Sequence, residues 1–537
     1  MKRLLFLALC LFFIQKNSLT QIPGQDVLRY DFSIWLNDST DIIQGYARVS
    51  MTVDQLKKGL SLNLVNQQGE KGMKVSACKV NGDEVRFLHA QNMLTLTFPK
   101  GIAAGDTAQL EVAYAGVPAN GLIISTNKHG NRTFFGDNWP NRAHHWLPVV
   151  DHPSDKAFVT WRVYAPVHYQ VIANGAEKER SFTADSSQVH YVYSSRVPLP
   201  TKVMVIGVAD FAIAESGLSK SGKPVSAWVY PEEAKDGFYD YAVAIPVLDW
   251  MEEYIGHPYP YSKLANVQSK TMFGGMENAS CIFYHENSID GKRGETSLIA
   301  HEIAHQWFGN SATEADWPHL WLSEGFASYL THLYTEHSQG NEAMQNYLLK
   351  DLAVIKFFAK ANPARPVLDT AERDLMKLLN PNSYQKGSWL LHMLRYRLGD
   401  ELFRKCVSKY YGRFALKNAN SLDFKKVVEE VSGKDLSQFF KQWLLWPGMP
   451  QLEGSWKAKK GKVKITFEQK QSQGLYELPI EITIFFKGGK EAMTRELVLT
   501  KEKQNFTIAT DPEYEIDKVI LDPNTWVLMD AKLVREE

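Results

Sequence analysis

His301, Glu302 and His305 fall in one five-residue string, His301-Glu302-Ile303-Ala304-His305, and an acidic residue, Glu324, follows downstream. Residues four apart share a helix face, so both imidazoles can reach one cation. Zinc suits such a set best: it takes neutral imidazole nitrogens and a carboxylate oxygen in a tetrahedral shell, and a catalytic site leaves the fourth position to water. The pKa of that water falls to about 7. Glu302 lies on the same helix but too close in sequence to be a third ligand, so it is placed to take the water's proton and later hand it to a leaving group. The string therefore points to a hydrolase.

A string of this form arises by accident in on the order of a few per cent of chains of this length, so its surroundings decide. Thr296-Ser297-Leu298-Ile299-Ala300 leads in and Gln306-Trp307-Phe308-Gly309-Asn310 leads out, which predicts a buried helix closed by a glycine stop. A second helical pattern runs from Trp321 to Leu330, with apolar residues at 322, 326, 329 and 330 on its core face and Glu324 within it.

With eighteen residues between His305 and Glu324, the spacing resembles that of the gluzincin metallopeptidases. Gly274-Gly275-Met276-Glu277-Asn278 is similar to the exopeptidase motif of the aminopeptidase N and leukotriene epoxide hydrolase family, and Ser383-Tyr384-Gln385-Lys386-Gly387 to that family's Tyr-x-Lys-Gly segment. The turn around Pro148, Asp151 and Pro153 and the stretch from Phe440 to Gly448 extend the likeness over nearly all of the chain after residue 20.

The resemblance implies one zinc ion held by His301, His305 and Glu324, with Glu302 as general base and acid. It implies that Glu277 pairs with the free α-ammonium of a peptide, so that a blocked terminus leaves a buried charge unpaired and is rejected. Gly274 and Gly275, lacking side chains, would let a substrate backbone run close to the strand. Met276 and Asn278 complete that substrate-binding segment. Tyr384 would aim a phenol at the developing oxyanion, a donor whose loss typically costs about 10²–10³ in rate. One position departs from the pattern: counting back from Pro148, the family's amine-binding Gln or Glu is here Trp139, between Asn138 and Asn141. Either an Asn substitutes or the amine site relies mostly on Glu277, and the indole narrows the pocket or offers its face to the ammonium.

The elements that must position these residues are legible in outline. Short alternating runs, such as Tyr30 to Leu36, Ala47 to Val53 and Phe158 to Tyr164, predict an all-β domain over 21–210. From 211 to 447 helical periodicity dominates, at Tyr239 to Ile255, the two motif helices, Glu342 to Phe358, Tyr384 to Leu398 and Phe424 to Val431; Asn266 to Phe273 is extended. By resemblance this is a thermolysin-like, mostly helical catalytic domain. Alternation returns over 448–537, at Val463 to Phe467, Ile480 to Phe486, Glu496 to Leu499 and Lys518 to Leu521, which predicts a small β-sandwich. The expectation is a multidomain α+β protein of the short bacterial type, without the further helical domain of many family members and so with a more open cleft.

At 537 residues several domains are expected. Lys+Arg and Asp+Glu each count 60, the pI is about 7.3, and no basic run interleaves with aromatics, which argues against a nucleic-acid partner. Lys2 and Arg3 before the apolar Leu4 to Ile14 have the layout of a signal peptide ending near Thr20, so export to periplasm or medium is expected, with no stable membrane insertion after cleavage. Cys10 raises a lipoprotein alternative, although Leu9 stands where a small residue belongs. Cys78, Cys281 and Cys406 are too few and too scattered for a disulfide framework and read as small buried hydrophobes. The leading function is a zinc aminopeptidase acting on peptides with a free N-terminus. Epoxide hydrolysis of the leukotriene-hydrolase type and a silent binding protein on a peptidase scaffold are the alternatives.

Overall fold

The computed structural model describes residues 22–459 and 461–536; the signal-like segment and Cys10 lie outside them. The chain runs from an all-β region through a helical one to a second β-rich region, a multidomain α+β arrangement.

The first region centres on Gln25–Trp35, which pairs antiparallel with Ile43–Val53 and parallel with Lys156–Pro166 in a large sheet. Val27, Tyr30, Phe32 and Ile34 alternate inward, as do Ala47, Val49 and Met51 on the neighbouring strand. That period of two is the one the sequence predicts for a half-buried strand. Trp161 from the parallel partner packs against Phe32 and stacks on Trp146, and all three are buried. A smaller sheet, ordered Gln170–Ala173, Ile206–Ala209, Arg132–Gly136, Leu122–Thr126, delivers the loop that begins at Asp137.

Helical periodicity does not describe the start of the next region. A mixed sheet comes first, with Pro224–Val229, Leu264–Ser269 and Cys281–His285 running parallel. Leu264–Ser269 is buried throughout, so it lacks the alternation that marks a one-sided strand. The helix expected over Tyr239 to Ile255 is two, Ala234–Tyr241 and Ala244–Ile255. The break places Pro246, which has no N–H to donate, in the first turn of the second helix, where none is needed. Helices Asp400–Phe414 and Ser437–Leu444 are additional to those the periodicity picked out.

In the last region, Lys503–Ala509, Lys462–Gln469, Gln451–Lys459 and Asp530–Arg535 form one sheet; Met493–Leu499, Leu478–Phe486 and Ile516–Leu521 form another. Asp530–Arg535 is a largely exposed edge strand, which explains why it shows no hydrophobic alternation. His392 Nε2 of the helical region donates to Thr525 O (3.0 Å), and the ring stacks on Trp526, which fixes this region to the helices. Among the described residues no helix is long and apolar enough to cross a membrane. Cys78, Cys281 and Cys406 are buried free thiols.

Ties cross from the first β region to the helical one. The Asn174 side-chain amide donates to Val203 O (2.8 Å) and to Ala279 O (2.7 Å), two residues past Glu277. Lys263 Nζ donates to Ala173 O and Gly175 O at 2.8 and 2.6 Å. Gly175 N donates to Ser280 Oγ (2.8 Å).

Candidate active site

The helix Thr296–His305 carries both histidines and packs against the helix Trp321–Gln339, which carries Glu324 in its first turn. His301 Nε2, His305 Nε2 and Glu324 Oε2 form a triangle with edges of 3.1, 3.2 and 3.5 Å. Ligands held at 2.0–2.1 Å in a tetrahedron stand 1.63 bond lengths apart, about 3.3–3.4 Å, so the triangle has the size of one face of a zinc shell. Glu324 Oε2 is buried and faces the two imidazole nitrogens without a well-formed hydrogen bond, an acceptor that a cation held by all three groups would satisfy. These residues fit the metal.

The histidine tautomer fits as well. His305 Nδ1 lies 3.1 Å from Phe308 O and 3.2 Å from Ser323 Oγ; the carbonyl can only accept, so Nδ1 carries the hydrogen and Nε2 turns a lone pair to the triangle. Phe308 reaches that place because the helix ends at His305 and Gly309 follows at φ +114°. A Cβ at Gly309 would stand 2.2 Å from Ser323 Oγ, so the glycine permits the two helices' close approach as well as the turn.

Glu302 is buried against the strand residue Gly275, where an added Cβ would fall 2.3 Å from its Oε1. Gly275 thus makes room for Glu302, while the space beside Gly274 is open, with Leu298 the nearest side chain at 3.8 Å. Burial, opposed by His305 and reinforced by Glu277 and Glu324, holds the Glu302 carboxyl well above the usual range. Glu277 is pushed up by burial too, with His305 and Lys202 pulling it down and Glu324 pushing it up, and its Oε1 has no partner. Its backbone carbonyl is gripped by two side chains just beyond the histidine helix, Gln306 (2.8 Å) and Asn310 (2.5 Å). Gln306 also accepts from Ser280 N at 3.0 Å. Met276 is buried, and Asn278 is wholly so.

Tyr384 does not begin a regular α-helix. It lies in a π-helical turn, Asn382–Lys386, in which Lys386 N donates to Pro381 O five residues back (2.8 Å), and the α-helix Gly387–Leu398 follows. The turn seats on the Glu324 helix because Gly325 and Gly387 meet backbone to backbone, with no room for a Cβ on Gly325. Lys386, fully buried, donates to Trp446 O and Gly448 O at 3.1 and 2.7 Å. The Tyr384 ring lies nearly parallel to His301, centroids 6.1 Å apart. Burial, and then Glu324, Glu277 and Glu302, push its hydroxyl far up, so it stays a neutral donor.

These groups share one cleft, with Gly275, Met276, Glu277, His301, Glu302, His305, Glu324 and Tyr384 among its lining residues. Gly274 and Asn278 are not. Trp139 lines it, whereas Asn138 and Asn141 do not; the Asn138 amide instead donates to Met204 O and accepts from Trp146 Nε1. Phe273 and Leu379, which sequence reasoning did not single out, complete the walls. Gln306 and Asn310 were missed as well, since no spacing rule links a helix-end amide to a strand carbonyl.

The family model for the peptidase family M1 domain matches residues 239–443, and that for the peptidase M1 N-terminal domain matches residues 27–203. The chain is 29% identical to glutamyl aminopeptidase of Sus scrofa over 330 residues, 59% of this chain and 35% of that protein. It is 30% identical to the Homo sapiens protein of that name over 330 residues (59% and 34%), and 26% identical to probable aminopeptidase 1 of Sulfurisphaera tokodaii over 440 residues (79% and 53%). The chain thus matches about a third to a half of the length of these relatives.

Proposed function

From the premise that the chain belongs to the M1 peptidase family, we propose that it is a zinc-dependent aminopeptidase that removes the first residue of peptides with a free α-amine. The observation that carries this reading is the buried, unpartnered Oε1 of Glu277 on the wall of the cleft that holds the ligand triangle. A buried carboxylate beside Glu302 and Glu324 is costly alone, and an arriving ammonium supplies the partner it lacks.

His301, His305 and Glu324 would hold the metal. Zinc, when bound, supplies the electrophile that polarises the scissile carbonyl and acidifies a water. Glu302 takes the water's proton and returns it to the leaving nitrogen. Tyr384 donates its phenolic hydrogen to the oxygen on which negative charge develops. Glu277 would hold the amine so that the first peptide bond lies at the ligand triangle.

We also propose the domain division 21–210, 211–447 and 448–537, a thermolysin-like middle domain, a β-sandwich at the end, and export by way of the segment 1–20.

The test is an assay of the purified chain on matched free and N-acetylated aminoacyl amides, with chelator and with zinc restored. Cleavage of free amines alone, lost on chelation and regained with zinc, is expected. Equal cleavage of acetylated amides would overturn the role of Glu277, and full activity of metal-free protein would overturn the zinc.

A further inference from the structure

We infer that the part of the cleft receiving the peptide's first side chain is an aromatic slot, walled by Trp139 and Phe273 and clamped from behind by Asp137 and Arg142, that accepts neutral apolar residues and rejects acidic ones. This rests on the aminopeptidase reading. An ammonium paired with Glu277 places the first residue's Cβ two bonds away, so that side chain must enter the cleft beside Glu277. Phe273 lies four residues upstream on the same segment, and Trp139 faces it edge-on, with centroids 6.3 Å apart and planes at 88°.

The walls cannot swing aside freely. Trp139 is 2% exposed and is backed by Trp317, edge-on at 6.1 Å. Asp137, wholly buried, accepts from Thr271 Oγ1 (3.2 Å) and Met272 N (3.1 Å), which fixes the segment leading into Phe273. Its other oxygen pairs with Arg142, whose Nε donates to Trp139 O at 2.6 Å and whose guanidinium lies 6.0 Å from the Phe273 ring centre. One buried ion pair therefore locates both walls.

The chemistry of the slot follows from what is left free. Arg142 is committed to Asp137 and to the Trp139 carbonyl, with Met272 Sδ at 2.8 Å from Nη1, so its charge is not offered to the cleft. Among the described residues lining the cleft, the basic side chains are His301 and His305, both directed at Glu324. A Glu or Asp side chain would bring a further carboxylate among Glu277, Glu302 and Glu324, partly dehydrated and with no protein cation to pair with it. An apolar side chain meets aromatic faces and edges, and the unpartnered polar atom of the walls, Trp139 Nε1, is a single neutral donor that does not offset a carboxylate's charge.

The test compares kcat/KM on leucyl, phenylalanyl and glutamyl amides of one fluorogenic amine, using the zinc-loaded full chain. Leucyl and phenylalanyl amides are expected to exceed the glutamyl amide at least 100-fold; a ratio near one would overturn the slot while leaving the aminopeptidase reading intact. No cleavage of any free-amine amide would overturn that reading, and the slot with it. Trp139→Gln should cut the leucyl-to-glutamyl ratio at least tenfold, and Trp139→Phe, which keeps an apolar wall, should hold it within threefold of the parent. Equal ratios in both variants, each with an unchanged melting temperature, would remove Trp139 as the determinant. Asp137→Asn is expected to raise KM for the leucyl amide about tenfold and to alter kcat less; a fall in kcat at constant KM would overturn the clamp.

Discussion

The two sides of the cleft are built by different means. On the metal side, His301, Glu302, His305 and Glu324 come from two consecutive helices packed together, and the ligand atoms meet because of helix phase and one close crossing at Gly309 and Ser323. On the amine side, Glu277, Trp139 and Phe273 come from distant segments brought together by long-range hydrogen bonds, through Gln306, Asn310, Asp137 and Arg142. A side built from helix phase fails by losing a functional group, and then fails almost completely. A side built from stitches fails by degrees, because each stitch removed shifts the wall without abolishing it.

The largest effects should come from the metal side. Glu302→Ala removes the group that moves the proton and should lower kcat at least about 10³-fold, near the upper part of the range for general acid–base catalysis. Zinc content, measured by atomic absorption, should stay at the parent value; a loss of zinc would show that Glu302 belongs to the metal's support instead. Tyr384→Phe keeps the ring and deletes the donor, so kcat should fall about 10²–10³-fold with KM moved by less than about threefold. A change in KM of the same size as that in kcat would place the phenol on the bound substrate rather than on the transition state.

A stitch should matter less. Gln306→Ala takes one of two donors from the Glu277 carbonyl and should raise KM for a leucyl amide by about tenfold, the size of one hydrogen bond to a group that must be held in place. If kcat collapsed as it does for Glu302→Ala, the contrast between the two sides would be lost.

The smallest expected effect concerns stability. Burial depresses Lys386 to about 7 from an ordinary 10.5. Between those values the unfolded chain holds the proton more than the folded one, so this group's contribution to stability rises with pH, by about 1 kcal/mol from pH 7 to 8. Below about pH 6 both states are protonated and the contribution is flat. Urea unfolding at the two pH values should show that increment in the parent and lose it in Lys386→Met.

The same division explains how much could be read from the chain. The triangle was legible because a period of 3.6 residues maps His301 and His305 onto one face, and a fixed interval leads to Glu324. The β regions at both ends were legible wherever one sheet face is buried. Leu264–Ser269 was read as extended only from Asn266, because with both faces covered it shows no alternation, and Asp530–Arg535 went unread because neither of its faces is covered. The turn at Tyr384 was misread as ordinary helix because a π-turn has no apolar period of its own. Trp139 was noted as a departure, but the tie from Asp137 to the segment leading into Phe273 was not, since Asp137 and Thr271 are 134 positions apart and nothing local marks them as neighbours.

The seam between the first β region and the helical one can now be seen as the protein's sense of direction. Asn174 holds Ala279 O and Gly175 holds Ser280, just past Glu277, while Lys263 anchors the same sheet to Ala173 and Gly175. None of these groups touches the ligand triangle. On the proposed aminopeptidase reading, prying the seam open would let Glu277 drift while the triangle stays whole, leaving a chain expected to cut without counting from the end of its substrate.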